Sequence, residues 1–287
     1  MNAWILACRF RTLPAAISPV IVGFSLAIHD QNFEIVVFLI TLLASVLIQI
    51  GSNFANDVYD FLKGSDREDR LGPKRATQSG LISPQKMKIG MWVIFGLSII
   101  AGSYLAIVGG WPIVIIGLLS ILSAITYTGG PYPFGYNGWG DFFVFIFFGV
   151  IAVPGTYYLQ TGFVTLESFL LGIALGSLST AILIVNNLRD ADTDVKSGKR
   201  TLAVRLGKDF VKAEYLVMIF ISFIVPIYII QVSNKLSICI IFFLLPNAFK
   251  HIYYIYTKTG TSLNSVLNST AKFLFNYSLL LSLGLII

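Results

Sequence analysis

The sequence predicts an all-α, polytopic membrane protein folded as one bundle of about nine transmembrane helices. Two observations of composition and one of pattern carry that expectation. Only 12% of the 287 residues are charged while 56% are hydrophobic, and the mean hydropathy is +0.80. A soluble domain carries about 25% charged residues, so this chain lacks the charge to cover a water-facing surface. Its apolar residues also gather into runs near the roughly 20 residues that cross a bilayer. Nine such runs have cores at about 13–28, 35–54, 90–108, 112–128, 142–160, 168–187, 213–231, 236–254 and 268–287.

The first run follows Arg9 and Arg11 and contains Pro14 and Pro19. It is too long for the apolar centre of a cleavable leader and reads as a retained first helix. The second and sixth runs each end in an acidic stretch. Gly96 and Gly102 in the third, Gly117 in the fourth, Gly149 in the fifth, and Gly172 and Gly176 in the sixth would let helices approach closely. The fourth run is short, the last three carry no motif, and the ninth reaches the chain end. Cys8 and Cys239 have no metal or redox spacing and read as structural. His29 and His251 lie near run ends without partner ligands.

Charge placement sets an orientation. With nine spans and a cytoplasmic N-terminus, 19 of the 20 Lys and Arg residues fall inside and only Lys235 falls outside. The loop after the second span holds Lys63, Arg67, Arg70, Lys74, Arg75, Lys86 and Lys88. The loop after the sixth holds Arg189, Lys196, Lys199, Arg200, Arg205, Lys208 and Lys212. This bias follows the positive-inside rule and predicts a multi-pass protein of the cell membrane with both charged loops cytoplasmic. It also accounts for the net charge of +6 without a nucleic-acid partner.

The carboxylates beside these bases need another explanation. Asn53, Asn56, Asp57 and Asp60 share one face of a helix, since residues three and four apart are neighbours. Asp66 follows in the loop. Asn187, Asp190 and Asp194 share a face at the end of the sixth span, and Asp192 points elsewhere. Acids at a membrane edge are costly and functional by default. Oxygen donors without nearby His or Cys suit Mg²⁺, which takes one or two carboxylates and binds substrate phosphate. Two facing acidic clusters flanked by Lys63, Arg70, Lys74, Arg75, Lys199 and Arg200 therefore describe a diphosphate clamp. The pattern Asn53-x-x-x-Asp57 with Lys63 recurs as Asn186-x-x-x-Asp190 with Lys196. It hints at a parallel four-helix repeat over about 35–128 and 168–254 within a single domain, 1–287.

These stretches resemble the UbiA superfamily of intramembrane prenyltransferases. Asn56, Asp57 and Asp60 match its first aspartate motif, and Asp190 and Asp194 match its second. The last acid of the first motif is displaced, because position 64 is Gly and Asp66 follows it. The branch acting on dihydroxynaphthoate has that offset. Arg70-Leu71-Gly72-Pro73, Arg9-Phe10-Arg11-Thr12-Leu13-Pro14-Ala15 and Tyr127-Thr128-Gly129-Gly130-Pro131-Tyr132-Pro133 are similar to that branch as well, with Phe10 in place of its usual Pro.

The resemblance implies a Mg²⁺-dependent transfer from a polyprenyl diphosphate to dihydroxynaphthoate with loss of CO₂, giving demethylmenaquinone. It implies catalytic roles for Asp57, Asp60, Asp190, Asp194 and Tyr127, with Asp66 joining the four aspartates as metal ligands. Diphosphate binding falls to Asn53, Asn56, Lys63, Arg70, Lys74, Arg75, Asn187, Lys199, Arg200 and Arg11. Tyr59, Tyr127, Tyr132, Tyr136 and Trp139 are candidates to face an allylic cation. Competing readings are a superfamily enzyme with another acceptor, such as hydroxybenzoate, homogentisate or haem, and a cation-coupled transporter. The Asp-Gly-x-x-Ala-Arg pattern of phosphatidyl transferases is absent.

Overall fold

A computed structural model describes residues 2–66 and 70–287; Arg67, one of the predicted loop cations, lies outside the described residues. Among the described residues, eight helical stretches are long and apolar enough to cross a membrane, and a ninth, Trp111–Thr126, is shorter. These nine stretches follow the order of the nine predicted runs.

The first span combines α1 (Ala3–Cys8) and α2 (Leu13–His29). Arg9 joins them in a left-handed conformation, φ 49°, and Pro14 is tolerated because it opens α2. The second span is α3 (Ile35–Leu62). At 1.5 Å per residue its 28 residues reach about 42 Å, longer than the hydrocarbon core of about 30 Å. Its last turns therefore carry Asn53 to Asp60 out toward water.

Ser83 caps α4 (Pro84–Gly109) through the Lys86 amide. Gly110, at φ 65°, turns the chain directly into α5 (Trp111–Thr126). The fifth span, Gly140–Thr161, is α6 (Gly140–Phe145), a π-helical turn over Ile146–Ile151, and α7 (Ala152–Thr161). The π turn lies where Gly149 meets α8 (Leu166–Lys196). A Cβ on Gly172 would stand 2.8 Å from the Gly149 carbonyl oxygen, and one on Gly176 would stand 2.7 Å from the Phe145 carbonyl oxygen.

A capping box between Thr165 and Ser168 starts α8. After the short α9 (Leu202–Arg205) come α10 (Lys208–Ser233), α11 (Leu245–Thr257), which a 3₁₀ stretch precedes, and α12 (Leu263–Ile286). The largest core cluster joins α8 to α2, α10 and α12. Ala174, Leu175, Leu178, Ala181, Ile184 and Val185 of α8 are all fully buried there. A second cluster packs α1, α3 and α4 around Phe54, Met87, Met91 and Phe95. Exposed apolar side chains such as Ile100, Ile107, Phe220 and Phe243 form the surface that a bilayer covers.

Candidate active site

The acidic ends of α3 and α8 face a common polar cavity of about 260 Å³. Asn53, Asn56 and Asp60 line it from α3, and Asn186, Asn187, Asp190 and Asp194 from α8. Asp66, Arg70 and Arg75 come from the loop after α3, Tyr127 and Tyr136 from the loop after α5, and Lys199 from the loop after α8.

Asp60, Asp66 and Asp190 are each matched by a base. Asp60 is paired with Arg75, stands 3.3 Å from Lys199 and accepts a hydrogen bond from the Tyr136 hydroxyl at 2.6 Å. Ser65 donates to the same hydroxyl at 2.6 Å. Arg75 also reaches Asp66 at 3.1 Å and the Asn56 carbonyl at 2.6 Å. Arg70 holds the other Asp66 oxygen at 3.2 Å. Arg189 forks onto both oxygens of Asp190, at 2.8 and 2.6 Å, and binds Asn186 and Asn264. Asn264 in turn holds the Leu71 carbonyl at 2.9 Å, which ties the 70–73 segment to α12. A side chain on Gly72 would strike the Arg189 guanidinium.

Burial and charge oppose each other in the loops. Burial pushes the Asp66 carboxyl up against the pull of Arg75 and Arg70. Burial and the Arg75 charge push Arg70 down to about 10. Burial also works against the Arg75 charge, but Asp60 and Asp66 outweigh it and hold the guanidinium protonated. Tyr127 and Tyr136 are pushed up, by burial first and nearby carboxylates second. Both are therefore neutral phenols and cannot serve as bases.

Several expected residues lie elsewhere. Asp57 is fully buried and turns away from the cavity, accepting the Ala76 and Thr77 amides at 3.1 and 3.0 Å. Arg11, Lys74 and Arg200 are exposed and do not line the cavity. Lys63 does not line the cavity either; its ammonium stands 4.7 Å from the Tyr136 ring centre, the same distance as that of Lys199. Of the aromatic candidates, Tyr127 and Tyr136 face the cavity. Tyr132 and Trp139 are exposed, and Tyr59 packs beneath Gly129.

The cavity also uses residues that spacing did not single out: Arg9, Thr12, Gln49, Ser179 and Thr201 line it. Arg189 does not line it and acts through Asp190, which does. Arg189 had a signal in the sequence, since it directly precedes Asp190.

A second cavity, of about 390 Å³, runs between α2, α3, α4, α5 and the fifth span. Its lining is almost wholly apolar, including Pro19, Ile113, Phe143, Phe147 and Phe148. Tyr127 lines both cavities.

The donor set of the polar cavity is carboxylate and amide oxygen, without imidazole or thiolate. Among the described residues no three His, Cys, Asp or Glu side chains converge into a protein-only metal cage. That arrangement fits Mg²⁺, which needs one or two carboxylates and completes its shell with water and phosphate.

Fold and site together define a polytopic membrane protein that pairs an acid–base cavity with an apolar one. Comparison with known proteins narrows this. Residues 16–279 match the model of the UbiA prenyltransferase family, and the chain belongs to that family. It is 37% identical to the 1,4-dihydroxy-2-naphthoate octaprenyltransferase of Haemophilus influenzae, over 100% of this chain and 96% of that protein. It is 42% identical to the enzyme of the same name from Escherichia coli, over 72% of this chain and 69% of that one. A UbiA homologue from Archaeoglobus fulgidus bound to DMAPP and Mg²⁺ superposes with a TM-score of 0.70 at 14% identity, covering 98% of this chain and 99% of that one.

Proposed function

We propose that this enzyme transfers a polyprenyl chain from polyprenyl diphosphate to 1,4-dihydroxy-2-naphthoate, releasing diphosphate and CO₂ and giving demethylmenaquinol, the reduced form of demethylmenaquinone. The observation that carries the reading is the run of relatives with that acceptor in their names, at 37% and 42% identity. The paired cavities supply its physical basis.

The polar cavity suits the diphosphate. Arg70, Arg75 and Lys199 line it and are engaged with Asp60 and Asp66; they can turn to phosphate oxygens as an anion enters. Mg²⁺, taken up by one or two of the carboxylates of Asp60, Asp66, Asp190 and Asp194, would supply Lewis-acid stabilisation to the leaving diphosphate. Asn53, Asn56 and Asn187 add neutral polar groups to the wall.

The apolar cavity suits the polyprenyl tail and keeps water from the allylic carbon. Breaking the carbon–oxygen bond leaves an allylic cation where the cavities meet. The Tyr127 ring there offers a π face worth about 0.5–2 kcal/mol. Its raised phenol stays protonated, so the hydroxyl can donate a hydrogen bond but not remove a proton. The electron-rich acceptor ring then attacks the cation. The charge bias of the loops supports a cytoplasmic active-site face in the cell membrane.

The test is incubation of purified protein with Mg²⁺, a polyprenyl diphosphate and the naphthoate, following prenylated product and CO₂ together. Equal amounts of product and CO₂ are expected. Turnover of another phenol, with none of the naphthoate, would overturn the acceptor assignment.

A further inference from the structure

Five residues line both cavities: Gln49, Ser52, Tyr127, Val144 and Phe148. With diphosphate in one cavity and the prenyl chain in the other, the breaking bond lies at this junction. The acceptor ring must reach it too. Gln49 is the amide of the five, one helical turn before Asn53 on α3, and it is only 9% exposed.

The orientation of that amide follows from the hydrogen bonds around Thr12. The Thr12 hydroxyl donates to the Arg9 carbonyl at 3.0 Å. A hydroxyl has one proton, so toward its other neighbours it can only accept. It accepts from Gln49 Nε2 at 3.2 Å and from Asn53 Nδ2 at 2.9 Å. Asn53 Nδ2 also donates to the Cys8 carbonyl at 2.9 Å, which fixes the hub from a second side. A flipped Gln49 would set its oxygen against the Thr12 lone pairs. Gln49 therefore gives its nitrogen to Thr12 and keeps Oε1 free; among the described residues its side chain makes this one hydrogen bond.

A free carbonyl oxygen selects a donor and rejects an anion. The acceptor named above carries ring hydroxyls, which can donate, and a carboxylate, which cannot. The geometry points to Gln49 as the residue that recognises a ring hydroxyl of the aromatic acceptor, Oε1 accepting the hydroxyl's hydrogen bond. This contact holds the ring at the junction. It also draws the phenolic proton toward Oε1, which raises electron density in the ring that attacks. The inference rests on the acceptor assignment, and its test separates the two.

The experiment compares wild type with Gln49→Leu and Gln49→Met. For each, KM is measured for the dihydroxynaphthoate and for the prenyl donor. Inhibition constants are measured for 2-naphthoate and for its 1-hydroxy and 4-hydroxy derivatives. Wild type should bind one hydroxy derivative more tightly than 2-naphthoate by a factor on the order of 10–100, because a site built to hydrogen-bond a hydroxyl rejects its absence. Gln49→Leu should flatten that ratio and raise the acceptor KM by a similar factor, with the donor KM unchanged. Where Leu disturbs the bundle, Gln49→Met keeps the shape without the amide and should give the same flat ratio. A preference for hydroxyl that survives Gln49→Leu or Gln49→Met overturns the inference. A wild type that ignores the dihydroxynaphthoate overturns the acceptor assignment instead.

Discussion

Asp57 and Asp60 stand three residues apart on α3 and have different work. Asp60 meets Arg75, Lys199 and Tyr136 at the cavity wall, whereas Asp57 accepts two backbone amides of the turn that follows Arg75. Asp60→Asn should lower kcat by a factor on the order of 10²–10³, the loss seen when one preorganised electrostatic contact is removed. Asp57→Asn should act first on the turn. Hydrogen exchange at the Ala76 and Thr77 amides should quicken, and stability should fall by about 1.5–3 kcal/mol, measured by denaturation in detergent. Equal exchange rates in Asp57→Asn and wild type would refute the anchoring role. The acids were legible because helical spacing places residues three and four apart on one face. Arg75, Lys199 and Tyr136 were legible as candidates, but which acid each would meet was not, since Arg75 lies fifteen residues after Asp60 and the Ala76 amide nineteen after Asp57. No local period encodes those distances.

Among helices, glycines that look alike in the sequence divide sharply in the fold. Gly149, Gly172 and Gly176 sit where the fifth span crosses α8 backbone to backbone. Gly96, Gly102 and Gly117 have no atom within 4 Å of an added Cβ. Gly176→Ala should therefore destabilise the protein by about 1–3 kcal/mol, the usual cost of overpacking. Gly117→Leu should be tolerated by the fold yet narrow the apolar cavity, which Gly117 lines. Its activity should fall more with long prenyl donors than with short ones, read by comparing kcat/KM across chain lengths. An unchanged length profile would remove the tail from that cavity. The nine helices were legible as apolar runs. The π turn at Ile146–Ile151 was not, because it answers a close approach by another helix rather than any pattern of its own.

Across the whole molecule, a long α3 and a long α8 bring two acidic ends to one side of the bundle, and the short α5 leads into the loop that supplies Tyr127 and Tyr136. The two acidic ends, with α3 packed on α4 and α8 packed on α10, support the proposal that about 35–128 and 168–254 are repeats of one unit. On the proposed reading, charge, metal chemistry and tail are sorted by solubility: ions at the wet ends of helices, the polyprenyl chain among apolar side chains, and the reacting carbon between them. A structure of the protein with Mg²⁺ and a non-reactive prenyl thiodiphosphate tests this division most directly. The diphosphate should lie between Asp60 and Asp194 with the metal, and the chain should run past Tyr127 into the cavity lined by Phe147 and Ile113. A diphosphate outside the Asp60–Asp194 cavity, or a chain lying along a different face of α3, would contradict it.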